Sequence, residues 1–311
     1  MAISSESGRR GRFTPSKALS KRFLLINPRS GDRRPSATEL LCEAERLGID
    51  AHVLEESEDA GELARKAADS GSGALGMAGG DGSLTSVATV ALERDLPFVC
   101  IPFGTRNHFA RDLDIDTGDP IAALGAFTGP ERQVDVGAVA DELFLNNVSL
   151  GVYASFVHDP AQKTRNRLVA FLRMAPAALG KSRRPLDIAF EADGRREHHS
   201  ALVVLIGNND YRIESMADLG GRERLDEGIL HAYVIEAVSR RAIVGLLFRA
   251  ATGRLEEAEG LVELAARRLT VDLPHQRIHA AIDGEPVVLE APLELEIRPR
   301  GLRVLVPPRP G

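Results

Sequence analysis

The sequence predicts an α/β domain followed by a strand-rich domain, with the change near residue 130. Before that point, short buried strands alternate with helices, which is typical of a mostly parallel sheet covered on both faces. From Gln133 onward, strands predominate and are joined by turns such as Asp193-Gly194 and Asp283-Gly284, which favours a β-sandwich. At 311 residues the chain is long enough for two such domains.

Apolar periodicity locates the elements of the first domain. The predicted strands are 22–27, 51–54, a third that starts at 75, and 98–103. The predicted helices are 40–47, 60–68, 84–94 and 120–127. Gly48 follows the first helix, where glycine commonly ends a helix.

The second domain is read in the same way. The predicted strands are 134–139, 143–148, 186–191, 201–206, 229–235, 269–273, 278–282, 293–297 and 302–306. Helical patterns interrupt them at 163–179 and 239–250.

Composition indicates a soluble globular protein, with 43% hydrophobic and 27% charged residues. The net charge of −6 argues against a nucleic-acid partner. The two cysteines give no disulfide framework, which suits a reducing cytoplasm. No apolar run approaches the roughly 20 residues of a membrane span, and the N-terminus lacks the apolar core of a secretory signal.

Two basic segments stand out on this acidic chain. Residues 1–21 are predicted to form a disordered basic tail. Residues 160–186 carry seven Lys and Arg residues with no acid, interleaved with apolar side chains. A basic amphipathic helix there fits peripheral binding to an anionic membrane surface, and an ordinary solvated surface helix is the alternative.

The most informative stretch, 74–83, reads Ala-Leu-Gly-Met-Ala-Gly-Gly-Asp-Gly-Ser. A strand that ends in Gly79, Gly80 and Gly82 and leads into a helix can hold a phosphate on backbone N–H groups. Asp81 is unusual there, because a carboxylate repels phosphate unless it binds a metal or a proton. A tight turn with a capping aspartate is the alternative.

Two further polar turns follow predicted strands, at 27–31 and 104–107. Ligands bind beyond the carboxyl ends of strands in open parallel sheets. Three polar turns at one sheet edge therefore predict a phosphate-binding site better than any one of them does.

The chain resembles the diacylglycerol kinase catalytic-domain family, bacterial lipid kinases related to sphingosine kinases, over about residues 22–308. The resemblance rests on seven short motifs in order: Asn27-Pro-Arg-Ser-Gly31, Gly79-Gly-Asp-Gly-Ser83, Pro102-Phe-Gly-Thr-Arg-Asn-His-Phe-Ala110, Val134-Asp-Val-Gly137, Asn146-Asn147, Leu225-Asp-Glu-Gly-Ile-Leu230 and Asp283-Gly-Glu285.

The resemblance implies an NAD kinase-like α/β nucleotide-binding domain at 22–130, followed by a β-sandwich lipid-substrate domain at 131–300. The last strand, within 301–311, would return to the first domain. The active site would lie in the cleft between the domains.

The resemblance also implies site residues. Glu285 would accept the proton of the lipid hydroxyl, and Asp81 and Asp283 would be further catalytic residues. The ATP phosphates would be held by residues of the three turns, namely Asn27, Ser30, Gly31, Gly79, Gly80, Asp81, Gly82, Ser83, Gly104, Thr105 and Asn107. Ser83 keeps the hydroxyl of the threonine that the family usually has there.

For Mg²⁺, the resemblance implies Asp81 and Asp135 near the nucleotide, and a structural site formed by Glu227 with the carbonyl groups of Arg224 and Ile229. This sequence departs from the family twice. His108 stands where the family has a third aspartate, although Mg²⁺ prefers oxygen ligands. Glu227 stands where the family has an aspartate.

The expected function is thus phosphorylation of diacylglycerol or a similar lipid, with ATP and Mg²⁺, at the cytoplasmic face of a membrane. Two alternatives stay open: a kinase for another lipid alcohol, such as a sphingoid base or a polyprenol, and a nucleotide-binding regulatory protein without catalysis. The expected partners are a lipid substrate and an anionic membrane surface, with a homodimer left open.

Overall fold

The computed structural model describes residues 21–30, 35–151, 185–192, 194–211, 221–236, 260–274 and 276–308. Residues 1–20 of the predicted basic tail, Gly31 and the predicted helices at 163–179 and 239–250 lie outside these ranges, as does the basic segment up to residue 184. Among the described residues, no helix has the length and apolar character needed to cross a membrane.

The first part of the chain forms a parallel sheet of four strands with the spatial order β2-β1-β3-β4. The strands are β1 (Phe23–Ile26), β2 (Asp50–Val53), β3 (Leu75–Gly79) and β4 (Phe98–Pro102). The helices are α1 (Ala37–Arg46), α2 (Ala60–Asp69), α3 (Asp81–Glu93), α4 (His108–Asp112) and α5 (Pro120–Ala123). Short 3₁₀ helices span Pro28–Ser30 and Leu124–Thr128.

Local sequence signals explain where the first two helices begin and end. Ser36 and Glu39 form a reciprocal capping box at the start of α1, and the side chain of Asp59 caps α2. Gly48 has a φ of 71°, a left-handed conformation that glycine adopts without strain, and it turns the chain from α1 toward β2.

The second part is built from antiparallel strands. They are β5 (Glu131–Val139), β6 (Glu142–Phe144), β7 (Asn147–Gly151), β8 (Leu186–Ala192), β9 (Arg195–Asn208), β10 (Leu230–Glu236), β11 (Leu261–Ala266), β12 (Arg268–Asp272), β13 (Arg277–Ile282), β14 (Glu285–Glu290) and β15 (Leu293–Leu305). The spatial order β14-β13-β7-β9-β8-β12-β15 runs through this part, and β10 pairs with β9 and β11.

The structure corrects three strand predictions. The predicted strand 143–148 is split into β6 and β7, because the N–H groups of Leu145, Asn146 and Asn147 donate to the carboxylate of Asp283. Strands β11 and β14 were not predicted. Both contain glutamate, a residue that strands disfavour, and their strand conformation is stabilised by pairing with β10 and β13.

The predicted strands 293–297 and 302–306 form one strand, β15, that joins the two parts of the molecule. Its first residues pair with β12, and Val304 and Leu305 pair in parallel with β4. The return of the last strand to the first domain is thereby confirmed. Between Arg298 and Leu302 the register against β5 shifts, since four steps along β15 face two steps along β5.

Two apolar cores correspond to the two parts. The first contains the strands and helices before residue 130, and the second contains the antiparallel strands. Strands β5 and β15 supply side chains to both, so that Leu293 and Leu295 belong to the second core while Leu302 and Val304 belong to the first. The fold class predicted from the sequence is thus confirmed.

Replacement of Leu305 by Ala tests how much the returning strand stabilises the first core. Leu305 is 0% exposed, so we expect its truncation to lower the free energy of unfolding by about 2–5 kcal/mol. Urea unfolding followed by circular dichroism measures this change. Val288→Ala is the control, because Val288 is 47% exposed. Truncation of its side chain should change the free energy of unfolding by less than about 0.5 kcal/mol. Equal effects would contradict the role given to β15.

Candidate active site

Three polar turns lie together beyond the carboxyl ends of β1, β3 and β4. The first turn is joined to the second by the side chain of Asn27, whose Nδ2 donates to Ser83 Oγ at 2.9 Å. The Oδ1 of Asn27 accepts the backbone N–H of Arg29 at 3.0 Å, which holds the amide in this orientation. Ser30 N donates to the carbonyl of Asn27 and closes the 3₁₀ turn.

The third turn packs directly against the second through two glycines. A Cβ atom added to Gly104 would lie 2.5 Å from the Cα of Gly80, so this approach requires glycine. Asn107 closes the turn on itself, with Gly104 N donating to its Oδ1 at 2.8 Å and its Nδ2 donating to Gly104 O at 3.1 Å. Thr105, at the outer side of this turn, is exposed.

Asp81 is the first residue of α3 and fastens the second turn to the start of α4. Its Oδ2 accepts the N–H of His108 at 3.2 Å, and its Oδ1 accepts the N–H of Phe109 at 3.1 Å. Asn146 Nδ2 approaches the same Oδ1 at 3.4 Å from the second part of the chain. The carboxylate is half-buried and is stabilised by these donors.

Asp283 is a buried carboxylate, 7% exposed, in the turn between β13 and β14. It accepts Thr85 Oγ1 from α3 at 2.6 Å and the N–H groups of Leu145, Asn146 and Asn147 at 2.8–3.0 Å. Burial raises the pKa of Asp283 to about 6, against the opposing effect of these four hydrogen bonds. The turn is therefore held against both parts of the molecule.

Glu285 follows this turn and lies over the glycine turn of the first part. A Cβ atom added to Gly82 would overlap the Glu285 carboxylate. The absence of a side chain at Gly82 thus makes room for Glu285, which remains exposed to solvent. The structure therefore brings Glu285 of β14 together with the turn that starts α3.

Sequence reasoning missed Arg222, which is buried beneath these groups. Its Nε donates to Asp112 at 2.7 Å, and both side chains of this ion pair are almost inaccessible, at 0% and 3% exposure. Its other nitrogens donate to the carbonyl groups of Leu145 and Asn208 and, at 3.0 Å, to Asn146 Oδ1. The bond to Asn146 turns the Nδ2 of that amide toward Asp81.

Asp135 lies on β5, opposite the register shift of β15, and is 1% exposed. One carboxylate oxygen accepts the N–H of Arg300 at 2.7 Å and the other accepts the N–H of Gly228 at 2.6 Å. In the described residues Asp135 therefore fastens β5 to the shifted part of β15 and to the 224–229 turn. Each oxygen keeps a second lone pair with which it can bind a cation. The role of Asp135 as a metal ligand stays a prediction.

The remaining predicted metal residues lie on that turn. Glu227 is half-buried, its N–H donates to Asn209 Oδ1 at 3.2 Å, and the carbonyl of Ile229 accepts the N–H of Asn209 at 3.0 Å. The side chain of Arg224 pairs with Asp226 at 3.0 Å. A cation at this turn stays a prediction.

His108 takes the position of the aspartate that the family motif has. Its N–H donates to Asp81, as described above, while its Nδ1 lies 3.0 Å from Arg111 Nη2. The imidazole thus contacts Arg111 one turn later in α4. It has no oxygen with which to join Asp81 in binding Mg²⁺.

Comparison with known proteins identifies two matching family models. Residues 21–139 match the diacylglycerol kinase catalytic domain, and residues 146–306 match the YegS C-terminal NAD kinase beta sandwich-like domain. Together the matches cover most of the chain in the order seen in the structure.

Full-length relatives match as well. A protein of Pseudomonas fluorescens named "Probable lipid kinase YegS-like" is 30% identical over 271 residues, which are 81% of this chain and 83% of that protein. A diacylglycerol kinase of Mycobacterium tuberculosis is 27% identical, over 85% of this chain and 84% of its own. The crystal structure of a diacylglycerol kinase from Bacillus anthracis superimposes with a TM-score of 0.68 at 18% identity, over 94% of this chain and 98% of its own, which bears on the fold alone.

Replacement of Asp283 by Asn tests the raised pKa of this carboxyl group. The pKa of about 6 exceeds the unfolded value of about 3.9, so the native state binds more protons than the unfolded state between pH 4 and 6. In wild type the raised pKa of Asp283 contributes about 3 kcal/mol to the free energy of unfolding below pH 4. This contribution is lost as the pH rises through 6. The free energy of unfolding in urea should therefore fall from pH 4 to 7 in wild type relative to Asp283→Asn, which has no carboxyl group to titrate at this position. A difference that does not change with pH would contradict it.

Replacement of Arg222 by Met tests the buried ion pair. We expect a loss of about 3–5 kcal/mol, because the charge of Asp112 stays buried without its partner. Asp112→Asn and the double variant complete a thermodynamic cycle, in which the double variant should lose at least about 0.5 kcal/mol less than the sum of the single losses. Strict additivity would mean that the two side chains do not interact.

Proposed function

The chain belongs to the lipid kinase family that joins a diacylglycerol kinase catalytic domain to a YegS-type C-terminal domain, and we propose that it transfers the γ-phosphoryl group of ATP to the hydroxyl of diacylglycerol or a similar lipid. One observation carries the proposal. The carboxylate of Glu285 lies against Gly82, so a proton acceptor from the second part of the chain adjoins a turn suited to phosphate in the first.

The phosphates of ATP are proposed to bind at the three turns. The turn at Gly80–Ser83 opens α3, a helix of 13 residues, whose first N–H groups and dipole favour anions. Gly80 and Gly104, which approach each other closely, have no side chains of their own to place between the backbone and a phosphate. In this proposal the nucleotide-binding residues are those of the sequence prediction: Asn27, Ser30, Gly31, Gly79, Gly80, Asp81, Gly82, Ser83, Gly104, Thr105 and Asn107.

Mg²⁺ is proposed to bind beside these phosphates. Asp81 suits Mg²⁺ because its carboxylate offers hard oxygen ligands at the edge of the glycine turn. Each of its oxygens accepts a backbone N–H and still has a lone pair for a cation. The ion would neutralise phosphate charge during transfer. Asn146, turned toward Asp81 by Arg222, would hold the carboxylate in place.

Glu285 is proposed as the general base. An exposed carboxylate at the start of β14 can accept the proton of an incoming alcohol, provided that it stays within hydrogen-bond reach of the hydroxyl. Asp283 positions it, because the four hydrogen bonds of Asp283 fix the turn from which Glu285 projects. Asp283 would thus affect catalysis through Glu285.

The lipid is proposed to reach the site from the cytoplasmic face of a membrane, to which the protein would bind peripherally. The support is the excess of positive charge at 160–186 on a chain of net charge −6. A bilayer is where a lipid hydroxyl is available to such an enzyme.

Phosphate transfer from radiolabelled ATP to lipids in anionic mixed micelles tests the function. The panel contains diacylglycerol, monoacylglycerol, sphingosine, ceramide and undecaprenol, each with and without Mg²⁺. We expect diacylglycerol to be labelled only with Mg²⁺, and Glu285→Gln to lower kcat by a factor of about 10²–10⁴ without weakening ATP binding.

Glu290→Gln is the matched control, because Glu290 is an exposed glutamate at the other end of β14. Labelling of a different lipid alone would replace diacylglycerol as the substrate. Full activity of Glu285→Gln would remove the proposed base, and absence of labelling with ATP still bound would favour a regulatory protein.

A further inference from the structure

Three side chains with metal-binding atoms, none of them from the three turns, converge just beyond the end of β9. Asp210 follows β9, His231 lies on β10 and Glu263 lies on β11. One ligand atom from each lies within 4.8 Å of the other two. The imidazole is the inner member, with its side chain 14% exposed, while the carboxylates are 57% and 53% exposed.

Both carboxylates face the same nitrogen of the imidazole. Glu263 Oε1 lies 3.1 Å and Asp210 Oδ1 lies 3.7 Å from His231 Nδ1. That nitrogen carries at most one proton, so it can donate to only one of the two. A cation bound to its lone pair would satisfy the nitrogen and both carboxylates together.

His199 shows the contrasting arrangement on neighbouring β9. It also lies near two glutamates, but Glu236 faces its Nδ1 at 2.9 Å and Glu197 lies 3.7 Å from its Nε2. The two carboxylates approach different nitrogens, so a single ion cannot take all three groups as ligands. A histidine close to two acids is thus not enough to make a cation site. His231 differs from His199 because both of its acids face the same nitrogen.

Tyr233 holds two members of the cluster in place without an ion. Its hydroxyl donates to Asp210 Oδ1 at 2.6 Å and accepts the N–H of Tyr211 at 2.9 Å. Its ring stacks on the imidazole of His231, with centroids 6.3 Å apart and planes at 23°. Such hydrogen bonds to a ligating carboxylate and such packing orient ligands in known metal sites.

We propose that Asp210, His231 and Glu263 bind one divalent first-row transition-metal ion of the Zn²⁺ type. One imidazole nitrogen with two carboxylate oxygens suits such an ion better than Mg²⁺, which prefers oxygen alone. Ligands around tetrahedral Zn²⁺ are about 3.3 Å apart, given bonds of about 2.0–2.1 Å. The 3.1 and 3.7 Å separations bracket this value. Three protein ligands leave a fourth position for water.

The bound ion would join the end of β9 to the antiparallel strands β10 and β11. Asn208, two residues before Asp210, accepts Arg222 through its carbonyl and donates to the carbonyl of Asp135. The site therefore borders the buried network beneath the proposed active site. Its proposed role is to stabilise that end of the strand.

Binding of Zn²⁺ by the metal-free full-length protein tests the proposal. Every protein carries Cys42→Ser, because Cys42 is an exposed free thiol and thiolates are Zn²⁺ ligands. Competition with a chromophoric chelator should give one equivalent for the parent protein. His231→Gln and Glu263→Gln should each weaken binding at least about tenfold, since loss of an outer-shell partner alone costs 10–100-fold. Thermal melting of the metal-free proteins verifies that each variant is folded.

His199→Gln is the matched control, because it removes the histidine whose acids face different nitrogens. It should bind Zn²⁺ as the parent does. Binding by His231→Gln at parental strength, loss of binding by His199→Gln, or no binding by the parent would overturn the proposal. The measurement uses neither ATP nor lipid, so its outcome is independent of the kinase function.

Discussion

Asp283 accepts four hydrogen bonds inside the molecule, and the donors come from both parts of the chain. The hydroxyl of Thr85 belongs to α3, whereas the N–H groups of residues 145–147 belong to the β6–β7 connection and the first residue of β7. A single carboxylate therefore interrupts a predicted strand, fixes the turn before Glu285 and attaches that turn to the helix after the glycines. The site between the two parts depends on this one buried acceptor, and moving it would separate Glu285 from Gly82.

Buried carboxylates elsewhere in the site follow the same physical rule. Asp81 and Asp135 both accept backbone N–H groups, and Asp112 pairs with Arg222. An acidic group removed from water is costly unless donors replace the lost hydration. Each of these donors comes from another element, so the negative charges also set how the elements are arranged. The half-buried Asp81 differs in lying at the edge of the glycine turn, where a cation can reach it.

Local signals in the sequence predicted the fold class and the three turns, because glycines after apolar strands act over a few residues. They did not reveal Arg222, whose partners Leu145, Asn146 and Asp112 lie 76 to 110 positions away. Asp283 could be recognised as part of a hairpin turn, yet its hydrogen bonds to residues 137 and 138 positions earlier could not be predicted from that turn. Strand β14 escaped prediction for a similar reason, since pairing with β13 rather than its own composition makes it a strand.

The pairing of β15 with β4 has a consequence for biosynthesis. The edge of β4 receives Val304 and Leu305, which are about 200 positions later in the chain. At 5–20 residues per second, a ribosome needs about 10–40 s to reach them after β4 has emerged. During that interval the nascent first domain exposes an unpaired parallel strand and an incomplete core, which are features that promote association between chains. We therefore expect this domain to be a client of ribosome-associated chaperones until the last strand is released.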